Sequence, residues 1–123
     1  SDETLKELKP FAKLRELDLS LTSVSDAGLQ QLTSFKQLTS LTLLYSEGFA
    51  GPKITNAGLK PLSEMTQLSR LNLVGAKIDD AGIDDLKRLR NLKQLSLVGS
   101  RISADGLKQL RMALPDCEVV SGL

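Results

Sequence analysis

The sequence predicts an α/β solenoid, in which short strands and short helices alternate and stack as the repeats of one domain. The main observation is a leucine phrase, L-x-x-L-x-L, that begins at Leu14, Leu38, Leu68 and Leu92 and recurs in a worn copy around Val119. The four starting leucines are separated by 24, 30 and 24 residues. A period in this range is typical of chains in which each repeat buries its apolar face only against its neighbours.

Each leucine phrase predicts a short, half-buried strand. In Leu17-Asp18-Leu19 and its copies, apolar and polar residues alternate, which is the period of a strand. We expect the apolar positions to be buried between the sheet and the helices. These positions are Leu17, Leu19, Leu41, Leu43, Leu71, Leu73, Leu95 and Leu97.

A second phrase, which begins at Val24 in its first copy, predicts a short helix in each repeat. Leu29, Leu32 and Phe35 recur every three residues, as on the buried stripe of a helix. The aligned position before each helix holds a residue whose side chain can accept a hydrogen bond from the first free N–H groups, as an N-cap does. These residues are Ser25, Thr55, Asp79 and Ser103. Acids at the next position, such as Asp26, are expected to complement the helix dipole.

A glycine recurs inside the first turn of each predicted helix, where glycine weakens a helix. Its recurrence indicates that the backbone closely approaches the adjacent coil at this point. The residues are Gly28, Gly58, Gly82 and Gly106.

Together the two phrases resemble the leucine-rich-repeat family, whose pattern is L-x-x-L-x-L-x-x-N/C-x-L. The T/S-D-A-G-L phrase is similar to the short bacterial repeats and to the cysteine-containing repeats of F-box adaptor proteins. The position usually given to Asn or Cys carries Thr22, Ser46, Ala76 and Ser100, which favours the bacterial type. The resemblance implies a right-handed solenoid with a parallel sheet on the concave face and helices on the convex face. Residues 1–123 would form one domain of about four and a half to five repeats, within a longer protein.

Composition argues against several functions. A net charge of +1 without a basic run argues against nucleic-acid binding, and no apolar stretch is long enough to span a membrane. The chain has no histidine, and its lone Cys117 therefore has no His partner for nucleophilic catalysis. We expect no enzyme activity and no cofactor.

An acidic group is the best metal candidate, but its spacing lacks the alternating oxygens and glycine turn of calcium loops. We interpret it as an N-cap followed by a solvated helix face, and we expect no metal. Its members are Asp79, Asp80, Asp84 and Asp85.

The strand residues that point out of the sheet form the more informative group. They fall in three rows: Glu16, Ser40, Arg70, Gln94 and Glu118; Asp18, Thr42, Asn72, Ser96 and Val120; and Ser20, Leu44, Val74, Val98 and Gly122. Such a face is either an ordinary solvated surface or a surface that binds another protein. If it binds, Arg70, Asn72, Gln94 and Ser96 lie near its centre, where binding hot spots tend to fall.

Three functions remain open from the sequence. The first is a protein–protein interaction module without catalysis, which binds through the concave face, through the loop at residues 45–53, or through both. The second is the adaptor or targeting part of a larger effector or ubiquitin-ligase-like protein. The third is a structural spacer.

The one break in the period is a second candidate site. The second repeat is longer than the others by 6 residues, since 30 − 24 = 6, and its extra residues precede Ile54. Insertions in solenoids bulge out as loops, often on the binding face. Tyr45 and Phe49 bring two aromatic side chains to this segment. The alternative is that Phe49 folds back over the sheet edge and that the loop is neutral.

Deleting residues 47–52 restores the 24-residue spacing and tests the loop. If the loop contacts a partner, the shortened chain stays folded with an unchanged melting temperature and loses binding. If Phe49 only packs against the sheet, the melting temperature measured by circular dichroism falls instead. A deletion that alters neither property would leave the loop without a role.

Overall fold

The structure is a computed structural model that describes residues 14–20, 24–44 and 53–121. Strands and helices alternate along these residues, as the two phrases predict. The strands are β1 (Glu16–Asp18), β2 (Ser40–Thr42), β3 (Arg70–Asn72), β4 (Gln94–Ser96) and β5 (Glu118–Val120). The helices are α1 (Asp26–Leu32), α2 (Asn56–Leu62), α3 (Ile83–Leu86), which follows a 3-10 turn at Asp80–Gly82, and α4 (Ala104–Ala113).

The five strands form one parallel sheet in chain order. Glu16 pairs with Ser40, Ser40 with Arg70, Arg70 with Gln94, and Gln94 with Glu118. The register thus advances by 24 residues, except for the step of 30 from Ser40 to Arg70. The six extra residues of the second repeat therefore change the connection between two strands without changing their pairing.

The apolar stripes of strands and helices meet in one continuous core. Seven of the eight strand leucines expected to be buried are buried, with Leu43, Leu73 and Leu97 fully inaccessible. Leu17 is the exception and is only partly buried. It lies on β1, which is the end strand of the described sheet and has a strand on one side only. The sequence repeats the leucine there, but the packing around an end strand differs from that in the middle.

The predicted N-cap position is correct in all four repeats, and three of the four side chains cap their helix. Thr55 and Asp79 accept from the N–H groups of Ala57 and Ala81, and Ser103 accepts from that of Gly106. Ser25 occupies the same position with extended backbone but makes no side-chain cap. The caps are a local consequence of residue type, since hydroxyl and carboxylate oxygens accept well at this point.

The residue after each of the first three caps links its repeat to the next, a role that the sequence did not predict. Asp26 accepts hydrogen bonds from both the N–H and the hydroxyl of Thr55. Asp80 binds Ser103 in the same two-bond arrangement, at 2.8 and 2.6 Å. Between them, Asn56 accepts from the N–H of Asp79. These three side chains are better described as rungs between coils than as partners of their own helix dipole. We call this set of hydrogen bonds the cap ladder.

The cap ladder explains the recurring glycine. A Cβ atom at Gly106 would lie 2.5 Å from Oδ1 of Asp80, and one at Gly58 would overlap Oδ1 of Asp26. The expected close approach is therefore present, and the nearest atoms of the preceding repeat belong to its side chains. Glycine is required because the hydrogen-bonding side chain of the preceding repeat occupies the space that a Cβ atom would need.

The end strand β5 is protected by a side chain from α4. Leu97 donates its N–H to the carbonyl of Val120, which sets the alternation of the β4–β5 ladder. In that alternation Val119 directs its carbonyl away from β4, towards the position of a further strand. The guanidinium of Arg111 donates to this carbonyl at 3.1 Å. Covering a free carbonyl in this way reduces pairing at an exposed sheet edge.

The Asn56–Asp79 rung predicts a pH dependence. Hydrogen bonds from the Asn56 side chain and from the Ala81 N–H hold the pKa of Asp79 below its ordinary value of 3.8. A carboxyl group whose pKa is lower in the folded state stabilises the fold above its unfolded pKa, and this contribution is lost as the pH falls through the folded pKa. Asp79→Asn, which can still cap, should therefore lose less stability than the parent chain between about pH 5 and pH 2.

Urea unfolding followed by circular dichroism at stepped pH measures this difference. Asp84→Asn is the matched control, because Asp84 is an exposed carboxylate of the same repeat outside the cap ladder, 3.9 Å from Lys87. Identical acid profiles for Asp79→Asn and the parent chain would contradict the proposed role of the rung.

Candidate functional site

The sheet brings the sequence-predicted rows together as expected. In the first row the pairing runs Glu16, Ser40, Arg70, Gln94, Glu118, and in the second Asp18, Thr42, Asn72, Ser96, Val120. Because parallel strands are in register, each row is a line of side chains about 4.8 Å apart. The outward positions alternate with the buried leucines, so the same strands that build the core also present this face. We call these two rows the sheet face.

A shallow concavity of about 310 Å³ lies on the sheet face over β2 to β5. All four strand residues predicted as partner-binding candidates line it, namely Arg70, Asn72, Gln94 and Ser96. Small polar side chains, such as Ser40 and Thr42, line it on the β2 side. The concavity is therefore open, with polar and apolar surface in similar amounts, and is centred on β3 and β4, with the aliphatic side chain of Val120 at its β5 end.

Charge on the sheet face is concentrated at its ends and its centre. Glu16 and Asp18 lie on β1, Arg70 lies on β3 and Glu118 lies on β5. All four side chains are exposed. The neutral strands β2 and β4 separate the central guanidinium from the carboxylates on either side.

Asn72 has a structural role that the sequence did not predict. Its Oδ1 accepts a hydrogen bond from the N–H of Val74 at 3.0 Å, and Asp18 accepts from the N–H of Ser20 at 2.9 Å in the same way. A short polar side chain that binds the backbone two residues on stabilises the turn out of a strand. The bond fixes the orientation of Asn72, which also lines the concavity. The signal for this role was the recurrence of Asp or Asn in the second row.

The third row gives the sheet face an apolar border. Leu44 is 38% exposed, and Val74 and Val98 are half-buried beyond the ends of β3 and β4. Val120, in the second row, is 44% exposed. The concavity thus lies beside a strip of aliphatic side chains, a combination that suits a protein segment with both polar and apolar residues.

The loop candidates Tyr45 and Phe49 lie outside the described residues. The residues that flank the insertion are described. Before it, the N–H of Leu44 donates to the hydroxyl of Ser20 at 3.1 Å. After it, the N–H of Lys53 donates to the carbonyl of Val24 at 3.0 Å. The insertion therefore leaves the sheet at the apolar border and rejoins the stack beside the first repeat.

Side chains of the acidic group make contacts within the chain itself. Asp79 caps the turn and pairs with Asn56, and Asp80 binds Ser103. Asp84 lies 3.9 Å from Lys87 on the exposed side of α3. Within residues 14–20, 24–44 and 53–121, no group of three potential ligands is placed to hold a metal ion.

Cys117 is half-buried just before β5. Burial raises the pKa of its thiol, Lys93 lowers it to a smaller extent, and the nearby charge of Glu118 raises it slightly further. A raised pKa keeps the thiol protonated and poorly nucleophilic. The residue is therefore best described as a small apolar side chain that packs against the core.

Comparison with known proteins agrees with this architecture. A family model described as a leucine-rich repeat matches residues 12–32. An internalin from Listeria monocytogenes aligns with 94% of this chain at 22% identity and a TM-score of 0.70. The chain therefore has the leucine-rich-repeat fold. No curated protein matches its sequence.

Other leucine-rich-repeat structures share the fold of this chain. Internalin C2 from the same bacterium covers 92% of it at 24% identity with a TM-score of 0.70. The leucine-rich-repeat ectodomain of a receptor kinase from Arabidopsis thaliana covers 94% at 21% identity with a TM-score of 0.57. The chain spans only 31% and 43% of the two internalins and 59% of the plant ectodomain. Since bacterial and plant structures both match, the short bacterial type stays a prediction.

None of the helices of this leucine-rich-repeat chain within the described ranges is both long and apolar enough to cross a membrane. The longest is α4, which has 10 residues.

Proposed function

We propose that this leucine-rich-repeat chain is a protein–protein interaction module without catalytic activity, and that the sheet face holds its partner. The observation that carries the proposal is the concavity over β2 to β5, which gathers Arg70, Asn72, Gln94 and Ser96 on one rigid surface. A partner recognised there would contact the sheet face and the apolar border together. The same surface would serve a free-standing module and the recognition part of a larger adaptor protein.

Rigidity supports this choice. On β2, β3 and β4, the side chains of the sheet face alternate with a leucine whose burial fixes the strand, for example Leu71 between Arg70 and Asn72. A face with fixed positions loses little conformational entropy when a partner binds, which favours affinity. Recognition also needs no group with catalytic chemistry, and the chain contains no histidine.

Arg70→Glu tests the proposal. Arg70 is exposed at the centre of the sheet face, so reversing its charge should leave the fold intact. It should also weaken binding at least about tenfold, since like charges across an interface cost several kcal/mol. The measurement is quantitative affinity capture from a lysate of the source organism, with the thermal melt of each variant recorded in parallel.

Arg88→Glu is the matched control, because Arg88 is an exposed arginine just after α3, away from the sheet face. Partners that bind the parent chain and Arg88→Glu but not Arg70→Glu support the proposal. Equal capture by all three proteins would show that the partner binds outside the sheet face. If none of them captures a partner, the result favours a structural spacer.

A further inference from the structure

We infer that the partner of the sheet face is a protein segment with one anionic side chain flanked on both sides by cationic side chains. This inference rests on the proposed function and adds the chemical class of the partner. It follows from the order of charges across the strands, which the pairing register fixes.

The first row alternates in charge along the stack. Glu16, Arg70 and Glu118 are separated by the neutral residues Ser40 and Gln94, which the pairing places between them. Arg70 is thus two strands from each glutamate, or roughly 10 Å at the usual strand spacing. A segment that lies across the strands meets negative, positive and negative charge in turn, and its own complementary order is cationic, anionic, cationic.

The three charges are available to a partner. Among the described residues, no hydrogen bond or ion pair engages the side chain of Arg70, Glu16 or Glu118, and all three are exposed. Their mutual attraction is weak, because roughly 10 Å is about one Debye length at 0.1 M salt. A partner carboxylate can approach Arg70 directly and form the two parallel hydrogen bonds that a guanidinium favours.

The second row gives the segment a direction. Asp18 adds a second carboxylate beside Glu16 on β1, whereas Val120 occupies the equivalent position beside Glu118 on β5. Two acids therefore lie at the β1 end, and one acid with an exposed valine lies at the β5 end. We expect the more cationic end of the segment over β1 and an apolar residue near Val120.

The same charge order disfavours a nucleic-acid strand. A phosphodiester chain carries a negative charge at every nucleotide, so its affinity depends on several cationic contacts. On the sheet face it would meet one guanidinium and three carboxylates, namely Arg70 with Glu16, Asp18 and Glu118. A protein segment can alternate its charges, and a polynucleotide backbone cannot.

The test is selection from a random peptide display library whose members are long enough to span the five strands. The baits are the whole chain, Arg70→Glu, Arg88→Glu as the off-face control, and Ser96→Trp, which fills the concavity without adding charge. We expect enriched peptides to carry an acidic residue with basic residues on both sides. They should lose at least about tenfold in affinity for Arg70→Glu and keep it for Arg88→Glu. Changing the central acidic residue of an enriched peptide to lysine should restore binding to Arg70→Glu.

The failure of this inference is distinguishable from the failure of the proposed function. Peptides that lose binding to Ser96→Trp but show no common charge order, or no rescue by the central lysine, overturn the inference and leave the sheet face as the binding surface. Peptides that bind all four baits equally, or the absence of any enriched peptide, count against both.

Discussion

The stack depends on a hydrogen bond that each helix start makes with the next. Asp26, Asn56 and Asp80 reach across the boundary between coils and bind the capping residue of the following repeat. Each bond joins the helix starts of two successive repeats, and so fixes the distance between the coils on the helix side. The backbone pairing of the strands fixes it on the other side. A coil held at both sides can only stack in one register, and the continuous leucine core follows from that register.

The glycine that recurs three residues after the cap is explained by the same hydrogen bond. Its missing side chain leaves room for the carboxylate or amide from the preceding repeat, as at Gly106 beside Asp80 and Gly82 beside Asn56. Glycine weakens the first turn of a helix, so its recurrence has to be offset by an interaction that needs the space. Two bonds to Ser103 supply that interaction at Gly106.

Much of this architecture could be predicted from the sequence, because equivalent positions of the repeats carry the same types of residue. Aligned leucines identify the core, aligned hydroxyl and acidic residues identify the caps, and the spacing of Arg70 from Gln94 places them side by side on neighbouring strands. What could not be predicted depends on neighbours in space. From the sequence, the residue after the cap is expected to interact with its own helix dipole. Its hydrogen bond to the next repeat becomes visible only when the next coil is placed beside it. Leu17 matches its copies in sequence but lies on an end strand, and Arg111 has no equivalent bond in the other described repeats. The loop candidates Tyr45 and Phe49 remain a prediction from sequence.

The candidate site arises from the constraint that builds the fold. Because the coils stack in register, residues that are far apart in the chain form straight rows, and Arg70 faces solvent between neutral strands. The insertion in the second repeat does not disturb these rows, since Ser40 still pairs with Arg70. Recognition can therefore vary at the outward positions while the leucines and the cap ladder keep the surface in place.

A double-mutant cycle between Asp80 and Gly106 tests the central claim most directly. In the parent chain, Gly106→Ala places a methyl group against the carboxylate of Asp80, and the free energy of unfolding should fall by about 1–3 kcal/mol. In an Asp80→Ala background the carboxylate is gone and the closest remaining neighbour is Cγ2 of Ile102 at 3.0 Å. The same substitution should then be neutral or cost less than about 1 kcal/mol. The account predicts that urea unfolding shows this loss of most of the penalty. An equal effect of Gly106→Ala in both backgrounds would contradict it.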